Sequence, residues 1–324
     1  MSDESPLSAR IAAFLELKQA MGRRYEHGAC ELARFGQYVD SFPAVPASVT
    51  REAVLGWAGS MSGLHPATRA KRLGVLRQLC LYLARTDPAT YVPERELFPA
   101  RVPLFRPYVY SEDELRRLFD AALLLSARGS PLRPITVHTV LVALYATGLR
   151  IGEACRLRVG DVDLERRTFF VHETKFFKSR LVPFPPTLAS KLAEYAEARA
   201  TRRKLNGPDR PFFRGRYNTH PALTPGGLDR SFRQVLRTAG IAPPRRRPPR
   251  VHDLRHTFAV HRVLRWYRDG ADVQSKLPLL ATYMGHSSVL STHTYLTATA
   301  ELLREASGRF ERAYGSVVSR GGAP

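Results

Sequence analysis

The sequence predicts a mainly α-helical protein of two domains, with a small antiparallel β-sheet in the second. Apolar residues recur at helical spacing through most of the 324 residues. A proline-rich segment without helical period, FPARVPLFRPYVY, separates two periodic regions. Two short β-rich runs, RTFFVHET and RLVPF, interrupt the helical pattern of the second region. We therefore predict domains at 1–98 and 109–324, joined by a linker at 99–108.

The first domain is predicted to be a small helical bundle. Residues 8–39 carry apolar side chains at helical spacing, and Gly22 lies where two helices can meet. After a proline-rich break, Thr50 is a suitable N-cap for a helix through Trp57. A further helix carries the apolar stripe Leu73, Leu76, Leu79 and Leu83. The same helix carries the basic residues Arg69, Lys71, Arg72 and Arg77, for which we favour phosphate contact over simple solvation.

The second domain begins with a helix-capping pattern. Ser111 and Glu114 form a capping box for a helix through Leu125, and a strongly apolar helix then breaks near Gly148. The two β-rich runs predict an antiparallel hairpin with Lys175 near its turn. Beyond Leu188 the pattern is mostly helical again. It ends in a terminal helix whose apolar stripe is Leu302, Leu303, Ala306, Phe310 and Ala313.

The charge of the chain predicts a polyanionic partner. Fifty Lys and Arg residues stand against 29 Asp and Glu, giving a net charge of +21 and an isoelectric point near 10.6. About half of the excess falls in residues 201–250, which include Arg245, Arg246 and Arg247. We interpret this region as part of the surface that binds the polyanion. The alternative is a solvated basic loop, because charge runs alone are weak evidence.

Cysteine usage and hydropathy argue against several other classes of protein. Cys30, Cys80 and Cys155 lie far apart without a CxxC pair, so neither a disulfide framework nor a thiolate zinc site is expected. We expect neither a metal nor a cofactor. No run approaches the ~20 apolar residues that span a bilayer, and the first residues lack an apolar signal core. We expect a cytoplasmic, nucleoid-associated protein of a prokaryote.

Five motifs in the second domain carry the residues for phosphodiester chemistry. They are ATGLRIGE, TKFFKSRLVPF, HDLRHTFAVH, YMGHSS and THTYL, in that order along the chain. Strand cleavage without a metal requires a nucleophile, cations around the phosphate oxygens and an acid for the leaving group. Each residue alone is ambiguous, because an arginine at a helix end is usually a surface ion pair and a lone histidine is usually structural. The fixed order and spacing make the set informative.

Together the five motifs resemble the catalytic pattern of tyrosine recombinases of the phage integrase family, over roughly residues 108–315. The resemblance implies a helical core-binding domain followed by an α+β catalytic domain. It also implies that Tyr295 attacks the strand and forms a 3′-phosphotyrosyl bond, with no need for metal or ATP. The implied catalytic residues are Arg150, Lys175, His252, Arg255, His286 and Tyr295.

The resemblance assigns a role to each remaining residue. Arg150 and Arg255 hold the scissile phosphate, since a planar guanidinium can bind two oxygens at once. Lys175 is the general acid toward the departing 5′ oxygen. His252 assists proton movement around the tyrosine hydroxyl, and His286 stabilises charge on the phosphate.

The resemblance also implies an assembly. Family members commonly act as four subunits on paired sites, with a terminal helix packed on the neighbouring protomer. We expect a homotetramer on paired sites in double-stranded DNA, alone or with companion recombinases. The long segment between Arg255 and His286 also resembles recombinases carried by mobile elements, so we expect an enzyme of the integrase or transposase type. The residues leave open whether it integrates, excises or inverts DNA or resolves dimers.

Several alternatives remain open from the residues alone. Lys178 is a second candidate for the general acid, and Tyr283 is a rival nucleophile. His252, His256 and His261 could share a helical face as in a metal hydrolase, although Asp253 stands where that pattern needs glutamate. A type IB topoisomerase shares the chemistry, and a DNA-binding regulator without catalysis would carry the same charge.

Overall fold

The computed structural model of the chain contains two compact units, residues 1–105 and 106–324. Each unit has an apolar core of its own. The residues that the structure describes are 6–22, 25–42, 48–97, 107–172, 179–201, 207–217, 220–241, 248–285, 304–305, 307–308 and 311. Among them, no helix is long and apolar enough to cross a membrane.

The first unit is a helical bundle, as the sequence predicts. Its helices are α1 (Pro6–Ala20), α2 (Glu26–Asp40), α3 (Arg51–Ser60) and α4 (Pro66–Leu83). A turn at Gly22, which has a positive φ of 75°, separates α1 from α2. The predicted cap of α3 is confirmed, because Thr50 Oγ1 accepts a hydrogen bond from the Ala53 amide at 3.2 Å. The stripe of α4 lies in the core, with Leu76 and Leu79 almost fully buried.

The second unit contains further helices arranged around one central helix. They are α5 (Glu112–Leu123), α6 (Arg133–Thr147), α7 (Ile151–Arg156), α8 (Pro186–Ala200), α9 (Pro225–Thr238), α10 (Val251–Arg268) and α11 (Val273–Met284). The predicted capping box of α5 is confirmed by reciprocal bonds between Ser111 and Glu114. Helix α6 buries Val140, Leu141 and Leu144 and packs against α5, α8, α9 and α10. The end of α6 is therefore held firmly, and the candidate site begins there.

The predicted β-hairpin is confirmed and belongs to a three-stranded antiparallel sheet. Its strands are β1 (Val162–Asp163), β2 (Thr168–Val171) and β3 (Arg180–Pro183), in the order β1-β2-β3. Phe169 pairs with Val182 across β2 and β3, and both side chains are fully buried. Val171 pairs with Arg180, the last described pair before the segment that carries Lys175.

A second hairpin, which was not predicted from the sequence, interrupts the mostly helical region beyond Leu188. Strands β4 (Arg214–Tyr217) and β5 (His220–Ala222) pair antiparallel after α8. The preceding residues Phe212 and Phe213 are buried against the Tyr195 ring of α8. The Tyr195 hydroxyl then accepts a hydrogen bond from the Arg214 amide at 2.9 Å. These contacts hold an extended chain whose local sequence has no strong strand pattern.

Candidate active site

The site begins where the central helix ends. Gly148 caps α6 with a positive φ of 63°, and a Cβ placed there would come within 2.5 Å of the Phe258 ring. Both the backbone conformation and the close approach of α10 therefore require glycine. The turn delivers Arg150 to the start of α7, with its side chain one-third exposed.

Glu153, one turn into α7, is a buried carboxylate shared by two arginines. Its side chain is 2% exposed. One oxygen accepts from Arg150 Nη1 at 2.7 Å and from Arg180 Nη1 at 3.1 Å. The other accepts from the Arg150 amide at 3.0 Å and from Arg180 Nη2 at 2.8 Å. Burial alone would raise the pKa of Glu153, but the hydrogen bonds and charge of Arg180, with those of Arg150, lower it to about 2.

Arg255 enters the site from α10 and is almost fully buried, at 2% exposure. Its Nη1 donates to the carbonyl oxygen of Gly148, and its Nη2 donates to that of Met284 at 2.8 Å. These bonds join the end of α6 to the end of α11. They also fix the plane of the guanidinium, which is what two-oxygen recognition of a phosphate requires.

Among the described residues, three guanidinium groups meet at consecutive backbone oxygens where α11 ends. Arg180 Nε donates to Tyr283 O at 3.2 Å, Arg255 Nη2 to Met284 O, and Arg150 Nη2 to Gly285 O at 2.6 Å. We call these three oxygens the α11 carbonyl cluster. Carbonyls at a helix C-terminus lack intrahelical partners and carry partial negative charge, so they attract cations. The chain continues directly from this cluster into His286.

His252 lies in the first turn of α10, three residues before Arg255. Partial desolvation, followed by the positive charges of Arg255 and Arg250, lowers the pKa of His252 below its usual value, although its side chain reaches the surface. A lowered pKa favours the neutral imidazole, which is the form that can accept a proton.

Tyr283, the rival nucleophile, is engaged in packing. Its hydroxyl donates to Pro183 O at 2.8 Å, and its ring stacks on Phe258 with centroids 5.8 Å apart. Burial raises the pKa of Tyr283 to about 12. A hydroxyl held in this way is a poor nucleophile, which supports the choice of Tyr295.

Several predicted site residues lie outside the described residues. They are Lys175 and its alternative Lys178, His286, Tyr295, the basic residues Arg245, Arg246 and Arg247, and the whole terminal stripe from Leu302 to Ala313. Their assignments stay predictions. The structure brings together Arg150, His252 and Arg255, and it places the two chain ends that lead to Lys175 and His286 beside them.

The basic residues of α4 differ in their surroundings. Lys71 is exposed. Arg72 Nε lies 3.2 Å from the buried Glu31, and Arg77 Nε donates to Pro93 O at 2.8 Å. These contacts stabilise the bundle. For the predicted DNA contact, Arg72 and Arg77 would have to bind phosphate in addition to making these bonds.

Two residues of the site, Glu153 and Arg180, were not predicted from the sequence. Glu153 has the signal of a helix N3 carboxylate, three residues after the N-cap Arg150. Arg180 lies in the β3 strand, where alternation alone would place it on the polar face. The two residues bind each other although they are 27 positions apart in the sequence. Arg180 also donates to backbone oxygens, which have no signature in the residue types.

The histidines that suggested a metal hydrolase have other partners. His261 Nδ1 and the Tyr145 hydroxyl lie 3.1 Å apart, and the rings of His252 and His256 are in edge contact. Over the ranges that the structure describes, no three His, Cys, Asp or Glu side chains are grouped to hold a metal ion.

Solved structures define the class to which this fold belongs. The chain matches a Tn1549 transposon integrase in complex with a circular intermediate DNA, with a TM-score of 0.62 and 18% identity, over 93% of this chain and 99% of that one. It matches XerH recombinase bound to its difH substrate with a TM-score of 0.61 and 20% identity, over 87% of this chain and 78% of that one. The fold is that of the tyrosine recombinases.

Sequence comparison gives the family. Residues 109–301 match the model of the phage integrase family. A Sinorhizobium fredii protein named integrase/recombinase y4rB is 34% identical over 93% of this chain and 96% of its own length. Tyrosine recombinase XerC of Myxococcus xanthus is 31% identical over 94% and 97% of the two chains. The chain therefore belongs to the phage integrase family and is a tyrosine-type site-specific DNA recombinase.

Proposed function

We propose that the protein cleaves and rejoins DNA at specific sites through a 3′-phosphotyrosyl intermediate at Tyr295, without metal or ATP. The observation that carries the proposal is the convergence of Arg150 and Arg255 on the α11 carbonyl cluster, directly before His286. Two guanidiniums fixed at one point suit a phosphate that gains charge during displacement. Relatives named as recombinases and integrases support the same reaction.

The reaction balances with the residues of this chain. The Tyr295 hydroxyl oxygen attacks the scissile phosphorus, and its proton passes to a base for which the neutral His252 is suited. The bond from phosphorus to the 5′ oxygen breaks, and Lys175 supplies the proton that this oxygen takes up. Because the phosphotyrosyl bond conserves the energy of the broken one, a 5′ hydroxyl can reverse the step and rejoin the strands.

A covalent adduct with DNA is the direct test. The protein is incubated in EDTA with nicked suicide substrates tiled across the DNA that flanks its own gene, and products are resolved under denaturing conditions. We expect an adduct on one short sequence only, which would identify the recombination site. An adduct that depends on added metal, or no adduct on any substrate, would contradict the proposed mechanism.

Binding to DNA is expected to depend strongly on salt. The charge of +21 predicts many phosphate contacts, and each contributes a slope of about −0.9 to the plot of log affinity against log salt. Reversing Arg245, Arg246 and Arg247 to glutamate should flatten that slope by about 1 to 3. Fluorescence anisotropy at several salt concentrations measures it.

The matched control reverses three exposed arginines elsewhere in the same unit, Arg116, Arg128 and Arg166. The change in net charge is identical, so a local DNA contact predicts a larger effect for the cluster at 245–247. Equal slopes for the two variants would mean that the cluster is a solvated basic loop.

Assembly on paired sites is expected to depend on the terminal segment. Deletion of residues 300–324 should leave binding to a single site intact but weaken pairing of two sites, because it removes the apolar stripe proposed to pack on a neighbouring protomer. Light scattering on site DNA measures the paired complexes. Deletion of 316–324 alone retains the stripe and is the control.

The same experiment tests the opposite arrangement. Glu305 lies 3.4 Å from Arg268 of the same chain, which is the contact expected of a segment that packs on its own unit. An insoluble deletion product would support that intramolecular packing, and an unchanged population of paired complexes would contradict the exchange between protomers.

A further inference from the structure

Arg180 has the contacts of a functional residue, although no part of the proposed chemistry uses it. It is the first residue of β3, its side chain is 14% exposed, and its guanidinium binds both oxygens of Glu153. It also donates to Tyr283 O and, at 3.4 Å, to Met284 O. Arg180 thus touches α7 and α11 from the strand that follows the Lys175 segment.

Four charged side chains lie together at the end of α11. Arg150 and Arg180 face the buried Glu153 carboxylate, and Arg255 lies at the adjacent carbonyl of the α11 carbonyl cluster. Three positive charges and one negative charge leave a net charge of two for a phosphate. Without Arg180 the carboxylate would pair with Arg150 alone, and the site would keep only one uncompensated charge.

Arg180 and Arg150 differ in exposure and in the number of bonds that they make to Glu153. Arg180 is the more buried partner of Glu153 and binds it with two parallel bonds, the strong geometry for an arginine and a carboxylate. Arg150 is one-third exposed and binds it with a single side-chain bond. Its other side-chain bond, to Gly285 O, can be exchanged for a bond to a phosphate oxygen. Of the two arginines that bind Glu153, Arg150 is therefore the one that can contact DNA.

Gly285, whose carbonyl belongs to the α11 carbonyl cluster, lies close to Arg180. A Cβ on Gly285 would lie 2.8 Å from Arg180 Nη1, and Gly285 also has a positive φ of 69°. A side chain at position 285 would therefore have to displace this guanidinium. Because His286 follows Gly285 in the chain, the position of Arg180 affects two proposed catalytic residues. It affects Arg150 through Glu153, and His286 through the end of α11.

Building on the proposed function, we propose that Arg180 is a positioning residue for strand cleavage: it neutralises Glu153, so that the charge of Arg150 remains available to the scissile phosphate. Arg180 does not touch the phosphate in this scheme. It acts through Glu153 and Arg150, and it joins the strand after Lys175 to the helix end before His286.

Single-turnover cleavage at saturating DNA tests the charge relation. Arg180→Met should slow cleavage about a hundredfold, a loss comparable to that of a transition-state hydrogen-bond donor, and leave binding within about threefold. Adding Glu153→Gln removes the unbalanced charge, so the double variant should recover at least about tenfold of the lost rate. Arg180→Lys keeps the charge without the paired bonds and should fall between wild type and Arg180→Met.

A substrate with a neutral methylphosphonate at the scissile position separates charge from simple support of the fold. It needs less positive charge, so the defect of Arg180→Met relative to wild type should shrink by about tenfold on it. The matched control is Arg117→Met. Arg117 likewise joins a carboxylate, Asp113, to a backbone oxygen, that of Ala239, away from the site, and its loss should not change cleavage.

A measurement that does not involve cleavage tests the interaction between Arg180 and Glu153 independently of the proposed function. Arg180 contributes to the low pKa of Glu153, so its removal should destabilise the fold most at pH 7, where Glu153 is ionised. The pKa of Glu153 should be higher in Arg180→Met than in wild type. The difference in unfolding free energy between the two proteins should therefore become smaller as the pH falls through that higher pKa. Denaturant unfolding at several pH values measures this.

The outcomes separate the two claims. If wild type forms no adduct, the proposed function fails, and with it the role of Arg180 in cleavage, whatever the unfolding data show. If wild type forms the adduct, the inference is overturned by Arg180→Met cleaving at the wild-type rate, by a double variant no faster than Arg180→Met, or by a stability gap independent of pH. Recovery in the double variant together with a narrowing gap supports it.

Discussion

Tyr295→Phe is expected to abolish the covalent adduct between protein and DNA while leaving the affinity for site DNA within about threefold. The substitution removes only the oxygen that forms the bond to phosphorus, and the arginines that bind the phosphate remain. The yield of adduct on a nicked suicide substrate should fall below detection, with or without EDTA. Denaturing electrophoresis measures the adduct and anisotropy measures binding.

Tyr283→Phe is the matched control, because it removes the hydroxyl of the rival nucleophile. That hydroxyl donates to Pro183 O, so its loss should reduce stability by about 1 kcal/mol but leave the adduct. Peptide mapping of the wild-type adduct should identify the tyrosine of THTYL. An adduct that persists in Tyr295→Phe, or one that maps to Tyr283, would contradict the assignment of Tyr295 as the nucleophile.

Local sequence patterns predicted the parts of the site that depend on neighbouring residues. The capping box at Ser111, the break at Gly148 and the hairpin of β2 and β3 are all confirmed. In each of them the residues that interact are close in sequence, or alternate with the period of a strand. Arg150, His252 and Arg255 could be selected by motif, and the structure brings their three elements together.

Contacts between distant segments could not be predicted in the same way. Arg255 binds Gly148 O across 107 positions, and Arg180 binds Tyr283 O across 103. The acceptors are backbone oxygens, which every residue possesses, so residue identity does not reveal them. The β4–β5 hairpin was missed for a related reason, because its extended chain depends on burial of Phe212 and Phe213 against α8.

Arg255 and Arg150 differ in burial and in their contacts, and substitution of Arg255 is therefore expected to have the second large effect. Arg255 is almost fully buried and binds carbonyl oxygens of two separate elements, whereas Arg150 is one-third exposed and lies at the start of a short helix. Both are proposed to bind the phosphate. Arg255 also joins the carbonyl that caps α6 to the end of α11 through two buried bonds.

Arg255→Lys is therefore expected to lower both cleavage and stability. A lysine keeps the charge but cannot reproduce the planar, paired geometry, so single-turnover cleavage should fall by about 10² to 10³. One carbonyl of Gly148 or Met284 would lose its buried donor, which costs about 1–3 kcal/mol in unfolding free energy. Arg150→Lys should show a similar loss of cleavage with a smaller loss of stability, because water can replace its bonds.

Arg265→Lys is the control on the same helix. Arg265 is exposed and pairs only at the surface with Asp269, so neither cleavage nor stability should change beyond experimental error. Cleavage assays and denaturant unfolding of the three variants, run side by side, decide the matter. If Arg255→Lys is as stable as Arg265→Lys, the two backbone bonds do not hold α6 to α11. If it also cleaves at the wild-type rate, the paired geometry is not required for catalysis, and Arg255 contributes charge alone.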